Sequence, residues 1–432
     1  MMARLVNSMF GTLRMPERHL VVALTFLACA IAYSDRVNIA VAAVAMKEQF
    51  GWTQTEKGLV LSAFFVGYLL FMFAAGMVST RFGGKGVLGW SVIAWSVCTL
   101  LTPLAAKLSV SNLIAVRIGM GVGEAALFPA SYDLFGRWIP PKERAQATAR
   151  VASGIPVGTV IGLMGSSWLV GHWNWSAAFY PFGAAGLLWA LIWFHRVKNN
   201  PTDERRMSRD ERALLSTILH SPPMVSGKEG RPLRHLLLRK SVLAIVAAHF
   251  ASNWNLYVLL SWLPSYFRDV QGLSVANAGL YSAAPWLAMF ASSNISAIIS
   301  DQMTQRGVDP TATRKTILCT ALTICAALLI VLPSARSAPV ALTELCAATA
   351  AIGCTWSAYP AAILDVAPQR SAVLYGFSNT FATLPGVIGV TATGWLVDIT
   401  GTYTAGLVLA GVVAVVGAVL FGFFFNAQPI PN

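Results

Sequence analysis

Residues 19–45 read HLVVALTFLACAIAYSDRVNIAVAAVA, and this stretch decides the class of fold. It is apolar over most of its length, and as a helix it would cross a hydrocarbon layer of about 30 Å. Basic residues precede it, as in a signal peptide. However, the run exceeds the usual length of such a peptide, contains the charged pair Asp35-Arg36 and has no small-residue cleavage site. We therefore expect a retained membrane helix.

Similar apolar runs recur along the chain of 432 residues, of which 56% are hydrophobic and 11% charged. Soluble domains carry about 25% charged residues, so lipid is the solvent that fits this composition. The sequence predicts an all-α membrane protein. Its twelve predicted spans are residues 19–45, 56–79, 85–105, 110–135, 146–170, 175–196, 240–267, 275–301, 314–333, 338–365, 370–397 and 402–425.

The formal charge of +13 does not by itself indicate a nucleic-acid partner. Most Lys and Arg residues lie between the spans, in segments that face the cytoplasm if the N-terminus is inside, which is the positive-inside bias of membrane proteins. We expect both termini in the cytoplasm and no nucleic acid bound. The six cysteines lie in apolar spans without a CxxC pair, so we predict no metal site and no cofactor.

A polar segment, 197–239, divides the chain into predicted six-helix bundles at 1–196 and 240–432. The two parts echo each other, because Gly58-Leu-Val-Leu-Ser-Ala opens span 2 and Gly279-Leu-Tyr-Ser-Ala opens span 8. Many transporters are built from such repeats, with the substrate site at their interface. The pattern predicts two bundles related by a pseudo-two-fold axis.

Four charged residues lie inside spans 1 and 4, namely Asp35, Arg36, Arg117 and Glu124. A charge at the bilayer centre costs at least about 2.5 to 3.5 kcal/mol, so these groups need partners or water. One interpretation is a fixed salt-bridge cluster that joins the two spans. The other is an anion site with proton uptake, because an arginine stays charged while a carboxyl group in a low dielectric can bind a proton near neutral pH. We favour the second.

These residues stand in motifs that resemble the major facilitator superfamily and, within it, the anion:cation symporter family. YSDRVNI at 33–39 is similar to the span 1 signature, and RIGMGVGEAALFP at 117–129 to the span 4 signature. SWLPSY at 261–266 and GFSNT at 376–380 resemble spans 7 and 11. The resemblance implies a twelve-helix major facilitator fold that carries a small organic anion by proton symport.

The family also implies roles for single residues. Arg36 would hold the substrate carboxylate, Asp35 and Glu124 would take protons, and Arg117 would be their charge partner. Tyr68 and Asn379 match polar positions that line the pocket of sugar-acid carriers. The alternative for Tyr68 and Asn379 is a helix–helix hydrogen bond, which a lone Tyr or Asn in a span makes about as often.

Three departures from the family pattern bear on the substrate. Thr80 stands where the loop after span 2 normally carries an acid, and Ser252 where vesicular glutamate carriers have a second cation, with His249 one turn before it. The glutamine typical of sugar-acid carriers in span 5 is missing around Ile155-Pro156. With one firm cation, we expect a monocarboxylate or an aromatic acid rather than a polyanion.

Several alternatives stay open at this point. An anion exchanger, a uniporter or an inorganic phosphate carrier would use the same fold. An enzyme is disfavoured, since neither HExxH nor GxSxG occurs. The short termini and the lack of a transit peptide predict a bacterial inner membrane, and we expect a monomer.

Overall fold

The computed structural model describes residues 16–204, 206–208, 211–215 and 233–429, and the regular secondary structure within these ranges is helical. Twelve helices of 21 to 34 residues are long and apolar enough to cross a membrane, as the sequence predicts. They are α1 (Glu17–Phe50), α2 (Gln54–Phe82), α3 (Gly84–Leu108), α4 (Val110–Trp138), α5 (Pro141–His172), α6 (Trp175–Arg196), α7 (Lys240–Asp269), α8 (Val275–Gln305), α9 (Pro310–Ser334), α10 (Ala338–Val366), α11 (Ser371–Thr400) and α12 (Thr404–Phe424).

Large apolar side chains cover much of the outer surface of the bundle. Phe73 on α2 is 81% exposed and Phe423 on α12 is 79% exposed, and Leu70 and Leu191 are also largely exposed. Lipid tails accept such side chains but cannot hydrogen-bond to a backbone, so a spanning chain must satisfy its peptide groups within helices. The protein is an integral membrane protein with twelve spans.

Two spans that we predicted as single helices are each interrupted once. In α4 the segment Val110–Glu124 is followed by Leu127–Trp138, and in α5 Pro141–Ala152 is followed by Gly154–His172. Pro129 and Pro156 follow these breaks closely. A proline has no amide hydrogen to donate to the carbonyl four residues earlier, and its ring crowds that carbonyl, so the helical hydrogen bonding is interrupted there.

The helix contacts repeat between the two halves of the chain. In the first half α1 packs on α5, α2 on α4, α3 on α4 and α3 on α6. In the second half the matching pairs are α7 with α11, α8 with α10, α9 with α10 and α9 with α12. Adding six to each helix number converts one set into the other, which is the relation expected for two six-helix bundles with pseudo-two-fold symmetry.

The two halves meet through α1 with α7, α2 with α11 and α5 with α8. Along α2, Gly58 lies against the backbone of α11, Ser62 accepts a 2.9 Å hydrogen bond from Thr391, and Met72 Sδ accepts one of 3.1 Å from Asn379. Beyond Met72 a methyl group added to Gly76 would meet no atom within 4 Å. The halves are therefore joined by α2–α11 contacts at one end of the bundle, whereas at the other end Gly76 meets no atom of the second half.

We call these ends the closed end and the open end. The closed end is formed by residues 50–62, 163–171, 262–283 and 390–398, and the open end by residues 73–85, 130–145, 300–310 and 368–377. Arg268 on α7 contacts Glu48 on α1 at 3.3 Å at the closed end, and Asp398 on α11 accepts amide hydrogen bonds from Gln54 and Thr55 on α2.

The predicted linker at 197–239 is described only in part, since residues 205, 209–210 and 216–232 lie outside the described ranges. Glu211 accepts the backbone N–H groups of Glu17 and Arg18 at 3.1 and 2.9 Å. The first N–H groups of a helix have no partner within it, so this carboxylate caps α1. The contacts of Glu211 tie this part of the segment to the first half. Within that half Arg18 also pairs with Glu143 on α5 at 3.1 Å.

Glycines set the spacing between α2 and α4. A β-carbon placed on Gly121 would lie 2.0 Å from the carbonyl oxygen of Phe64, whereas one placed on Gly119 would meet only Cys98 Sγ, at 3.4 Å. We expect Gly121→Ala to lower the unfolding free energy by about 1 to 3 kcal/mol, because the two helices must move apart. Gly119→Ala is the matched control and is expected to be near neutral. Thermal melting of the purified protein in detergent compares the two, and equal melting temperatures would contradict the close crossing.

Candidate functional site

Arg36 on α1 and Glu124 on α4 form a buried ion pair. Arg36 Nη2 lies 2.7 Å from Glu124 Oε2, and Nε donates to the same oxygen at 3.3 Å. Both side chains are almost fully buried, and hydrogen bonds between charged groups are the strongest that proteins make. The pair joins α1 and α4.

The pair uses only one edge of the guanidinium group. Nε and Nη2 form the edge that faces Glu124, while Nη1 has no carboxylate partner among the described residues and the Tyr68 hydroxyl lies near the guanidinium group. A guanidinium presents two such edges, and each matches the two oxygens of a carboxylate. The Nη1–Nη2 edge of Arg36 is therefore available to one further carboxylate.

Aromatic rings surround Arg36. Its Cζ atom lies 4.4 Å from the ring centre of Tyr33, 4.5 Å from that of Phe64 and 5.3 Å from that of Tyr68. Each ring attracts a cation through its negative face without accepting a directed hydrogen bond. The rings thus hold the guanidinium group in place.

Arg117 shares no hydrogen bond with Glu124, although the two residues stand on one face of α4. Its Nη1 donates to Met120 Sδ at 3.1 Å, and its Nε is buried without a partner. Its Cζ lies 5.5 Å from the ring centre of Phe64, the same ring that packs on Arg36. Phe64 therefore contacts both arginines, and Arg36 is the one that pairs with Glu124.

Asp35 is completely buried, and neither of its carboxyl oxygens makes a hydrogen bond of normal geometry to the described residues, although the Thr99 hydroxyl and the Trp95 indole lie near it. The side-chain atoms of Asn38, one turn along α1, and Nε1 of Trp95 on α3 are buried and unpaired as well. Leaving a buried polar group unpaired costs about 1 to 3 kcal/mol, and more if it is charged. Such a cluster fits a carboxyl group that exchanges a proton or another cation.

Tyr68 and Asn379, the two predicted pocket residues, occupy different positions. Tyr68 lies beside Arg36. Asn379 contacts Met72, one turn further along α2 toward the open end, and so lies at the interface of the halves rather than on Arg36. The structure brings Asp35, Arg36, Arg117, Glu124 and Tyr68 into one region, with Asn379 beside it.

The sequence analysis did not single out several aromatic and polar groups near this region. Phe64 precedes Tyr68 by one helical turn, which was the available signal for it. Tyr257 on α7 packs on Phe65 of α2, with ring centres 4.5 Å apart, and so carries the aromatic surface into the second half. His249 was noted only for its position, and it bonds to Ser378 at 2.9 Å and stacks on Tyr359 at 4.1 Å.

Residues 25–390 match the sequence model of the Major Facilitator Superfamily. The chain belongs to the Major Facilitator Superfamily. It is a transporter and not an enzyme, as the sequence predicts.

Curated relatives narrow the placement within the superfamily. Sodium-dependent phosphate transport protein 1, chloroplastic, of Arabidopsis thaliana is 35% identical over 420 residues, which are 96% of this chain and 80% of the relative. Probable anion transporter 4, chloroplastic, of Oryza sativa subsp. japonica is 33% identical over 96% of this chain and 70% of its own length. The ascorbate transporter, chloroplastic, of A. thaliana is 31% identical over 96% of this chain and 78% of the relative. These matches confirm the predicted family of anion transporters.

Solved structures show the same fold at lower identity. A bacterial homologue of the human lysosomal transporter Spinster, in an inward-facing and occupied conformation, superposes with a TM-score of 0.76 at 20% identity, covering 94% of this chain and 96% of that one. The D-xylose–proton symporter gives a TM-score of 0.72 at 15% identity, covering 95% and 99%. The predicted twelve-helix major facilitator fold is confirmed.

A double-mutant cycle measures the energy of the Arg36–Glu124 pair in this superfamily member. We expect Arg36→Met to cost about 3 to 5 kcal/mol, because Glu124 is left as a buried charge without its cation. The double variant Arg36→Met with Glu124→Leu removes both charges and should recover much of that loss. Chemical unfolding in detergent gives the four free energies. Losses that simply add would show that the two side chains are not coupled.

Proposed function

We propose that the protein carries a small organic monocarboxylate together with a proton, by alternating access of two helix bundles. The observation that carries this proposal is the Arg36–Glu124 pair, in which one edge of the arginine is held by an internal carboxylate and the other is free. A substrate carboxylate and Glu124 would then compete for the same cation.

Charge balance supports the coupling of anion and cation. Asp35, Arg36, Arg117 and Glu124 sum to zero when all four are ionised. An added anion would leave one uncompensated negative charge in a medium of low dielectric, which is costly. A proton on Glu124 or Asp35 restores neutrality, and on Glu124 it also weakens the hold of that residue on Arg36. Proton binding and anion binding would therefore promote each other.

The arrangement of the cations favours a monoanion. We assign the substrate carboxylate to Arg36 alone, because Arg117 is more deeply buried, at 2% exposed against 7%, and donates to Met120. The rings of Tyr33, Tyr68 and Tyr257 supply apolar surface for the rest of the substrate. We therefore favour an aromatic or similarly planar monocarboxylate over a dianion.

Inorganic phosphate with sodium is the second candidate. It is favoured by the name of the Arabidopsis phosphate transporter, 35% identical to this chain. The buried and unpaired oxygens of Asp35 and Asn38 are of the type that binds Na⁺ as well as protons. An anion exchanger or a uniporter on the same fold would need neither a coupled proton nor a coupled sodium ion.

The two ends of the bundle suggest how access alternates. The halves at 1–196 and 240–432 would rock about the Arg36 region, connected by 197–239, so that the closed end opens as the open end closes. Basic residues such as Arg81, Lys85 and Arg137 lie at the open end, which by the positive-inside rule would face the cytoplasm together with both termini. The relatives are named as chloroplastic, so they give the predicted bacterial inner membrane no support.

Replacing Glu124 by Gln tests the proton role. We expect Glu124→Gln to retain exchange of substrate across the membrane but to lose accumulation driven by a pH gradient, because the amide cannot carry the proton. In the wild type, acid on the side of substrate addition should raise uptake. Uptake into proteoliposomes with and without an imposed pH gradient measures both.

Glu143→Gln is the matched control for that test, because this carboxylate lies away from the site and pairs with Arg18. It should still accumulate substrate. Concentration of substrate by Glu124→Gln under a pH gradient would rule out its proton role. Uptake that does not depend on pH but requires sodium would favour the second candidate, transport of inorganic phosphate with sodium.

A ligand screen tests the substrate class. We expect benzoate or gluconate, but not phosphate, to raise the melting temperature of the wild type, since a ligand at 100 times its Kd stabilises the folded state by about 2.7 kcal/mol. Arg36→Ala should lose this shift, while Arg137→Ala, which breaks a pair with Asp133 at the open end, should keep it. A shift with phosphate alone would reject the monocarboxylate.

A further inference from the structure

Lys57 on α2 is a buried cation at the closed end, and the proposed substrate site does not use it. Its side chain is 1% exposed. Its Nζ donates a 2.7 Å hydrogen bond to Ser265 Oγ and lies 4.8 Å from the ring centre of Trp262. Both of these partners are on α7, so Lys57 spans the contact between the two halves.

The acids nearest to Lys57 hydrogen-bond to other groups. Asp398 accepts hydrogen bonds from the backbone of Gln54 and Thr55, at 2.8 and 2.7 Å. Asp269 accepts from Tyr403 at 2.7 Å and from the Gln54 side chain at 3.3 Å. The ammonium group of Lys57 thus ends on a neutral hydroxyl. Burying an ammonium group that is hydrogen-bonded to a neutral hydroxyl rather than to a carboxylate costs free energy. The burial of Lys57 therefore suggests a functional role.

Lys57 also lies in line with the proposed site. It precedes Phe64 by seven residues, or two helical turns, so the two side chains share one face of α2 about 10 Å apart. Tyr68 continues the same face one turn further. Phe64 and Tyr68 pack on Arg36, so this face of α2 leads from the closed end to the guanidinium group.

Opening the closed end would separate α2 from α7 and α11. Ser265, Trp262, Asp269 and Asp398 all belong to the second half and would move away together. Lys57 would then stand in water as an unpaired cation at the mouth of the path to Arg36. An anion that arrives from that side would meet it first.

We infer that Lys57 is a second anion-binding position, which holds the carboxylate of an arriving substrate while the closed end is open. As that end closes, the hydroxyl of Ser265 takes the place of a carboxylate oxygen at Nζ, and the anion passes to Arg36. This inference rests on the proposed function in that it needs an anionic substrate, but it does not depend on which anion is carried.

The test compares transport from the two sides of the membrane. Benzoate and phosphate are the probes, and initial rates are measured in proteoliposomes sorted by orientation. Lys57→Met should raise KM about tenfold for substrate added at the closed end and leave KM unchanged at the open end. Lys57→Arg keeps the charge and should restore the wild-type KM. Lys47→Met removes a cation from the same end of α1 and should alter neither value.

Two outcomes would overturn the inference. Equal changes on both sides would show that Lys57 only stabilises the closed end, and no change on either side would show that it does not bind the anion. Lys57→Gln serves as a second variant, because it retains a donor for Ser265 without the charge, and a wild-type KM for it would also count against the inference. Transport of phosphate but not benzoate would reject the monocarboxylate and leave the comparison between sides intact.

Discussion

The ion pair between Arg36 and Glu124 is the interaction on which the rest of this transporter depends. Burying these two charges in a helix bundle within lipid costs desolvation free energy, and their mutual attraction offsets that cost only while they stay paired. The pair therefore fixes α1 against α4. Because the pair leaves the Nη1–Nη2 edge of the guanidinium without a carboxylate, a carboxylate ligand can bind there. Structural support and recognition thus reside in the same group of atoms.

The packing of α2 against α4 serves this pair. Gly121 allows the backbone of α2 to approach closely at Phe64, and the ring of Phe64 lies on Arg36 and faces Arg117. A bulkier residue at position 121 would move that ring away from both cations. Gly121 thus acts by bringing an aromatic face to two guanidinium groups.

Much of this architecture could be predicted from the sequence, and the reasons are physical. Apolar runs of spanning length are visible directly, and charges such as Arg36 and Glu124 stand out because lipid penalises them. Their direct pairing could not be predicted, since it depends on how α1 and α4 are rotated about their axes. The break in α4 had a local signal in Pro129, yet the apolar run continues across it and was interpreted as one helix. Lys57 was missed because its burial comes from α7, more than 200 residues away in the chain.

The break in α4 immediately after Glu124 has a consequence of its own. Pro129 has no amide hydrogen to donate to the carbonyl of Ala125, so bending between the two segments sacrifices fewer helical hydrogen bonds than bending elsewhere in α4. Such a bend would change the angle between Leu127–Trp138 and the segment that ends in Glu124. Because Glu124 is the last residue of its segment, a change in that angle would alter the distance between its carboxylate and Arg36.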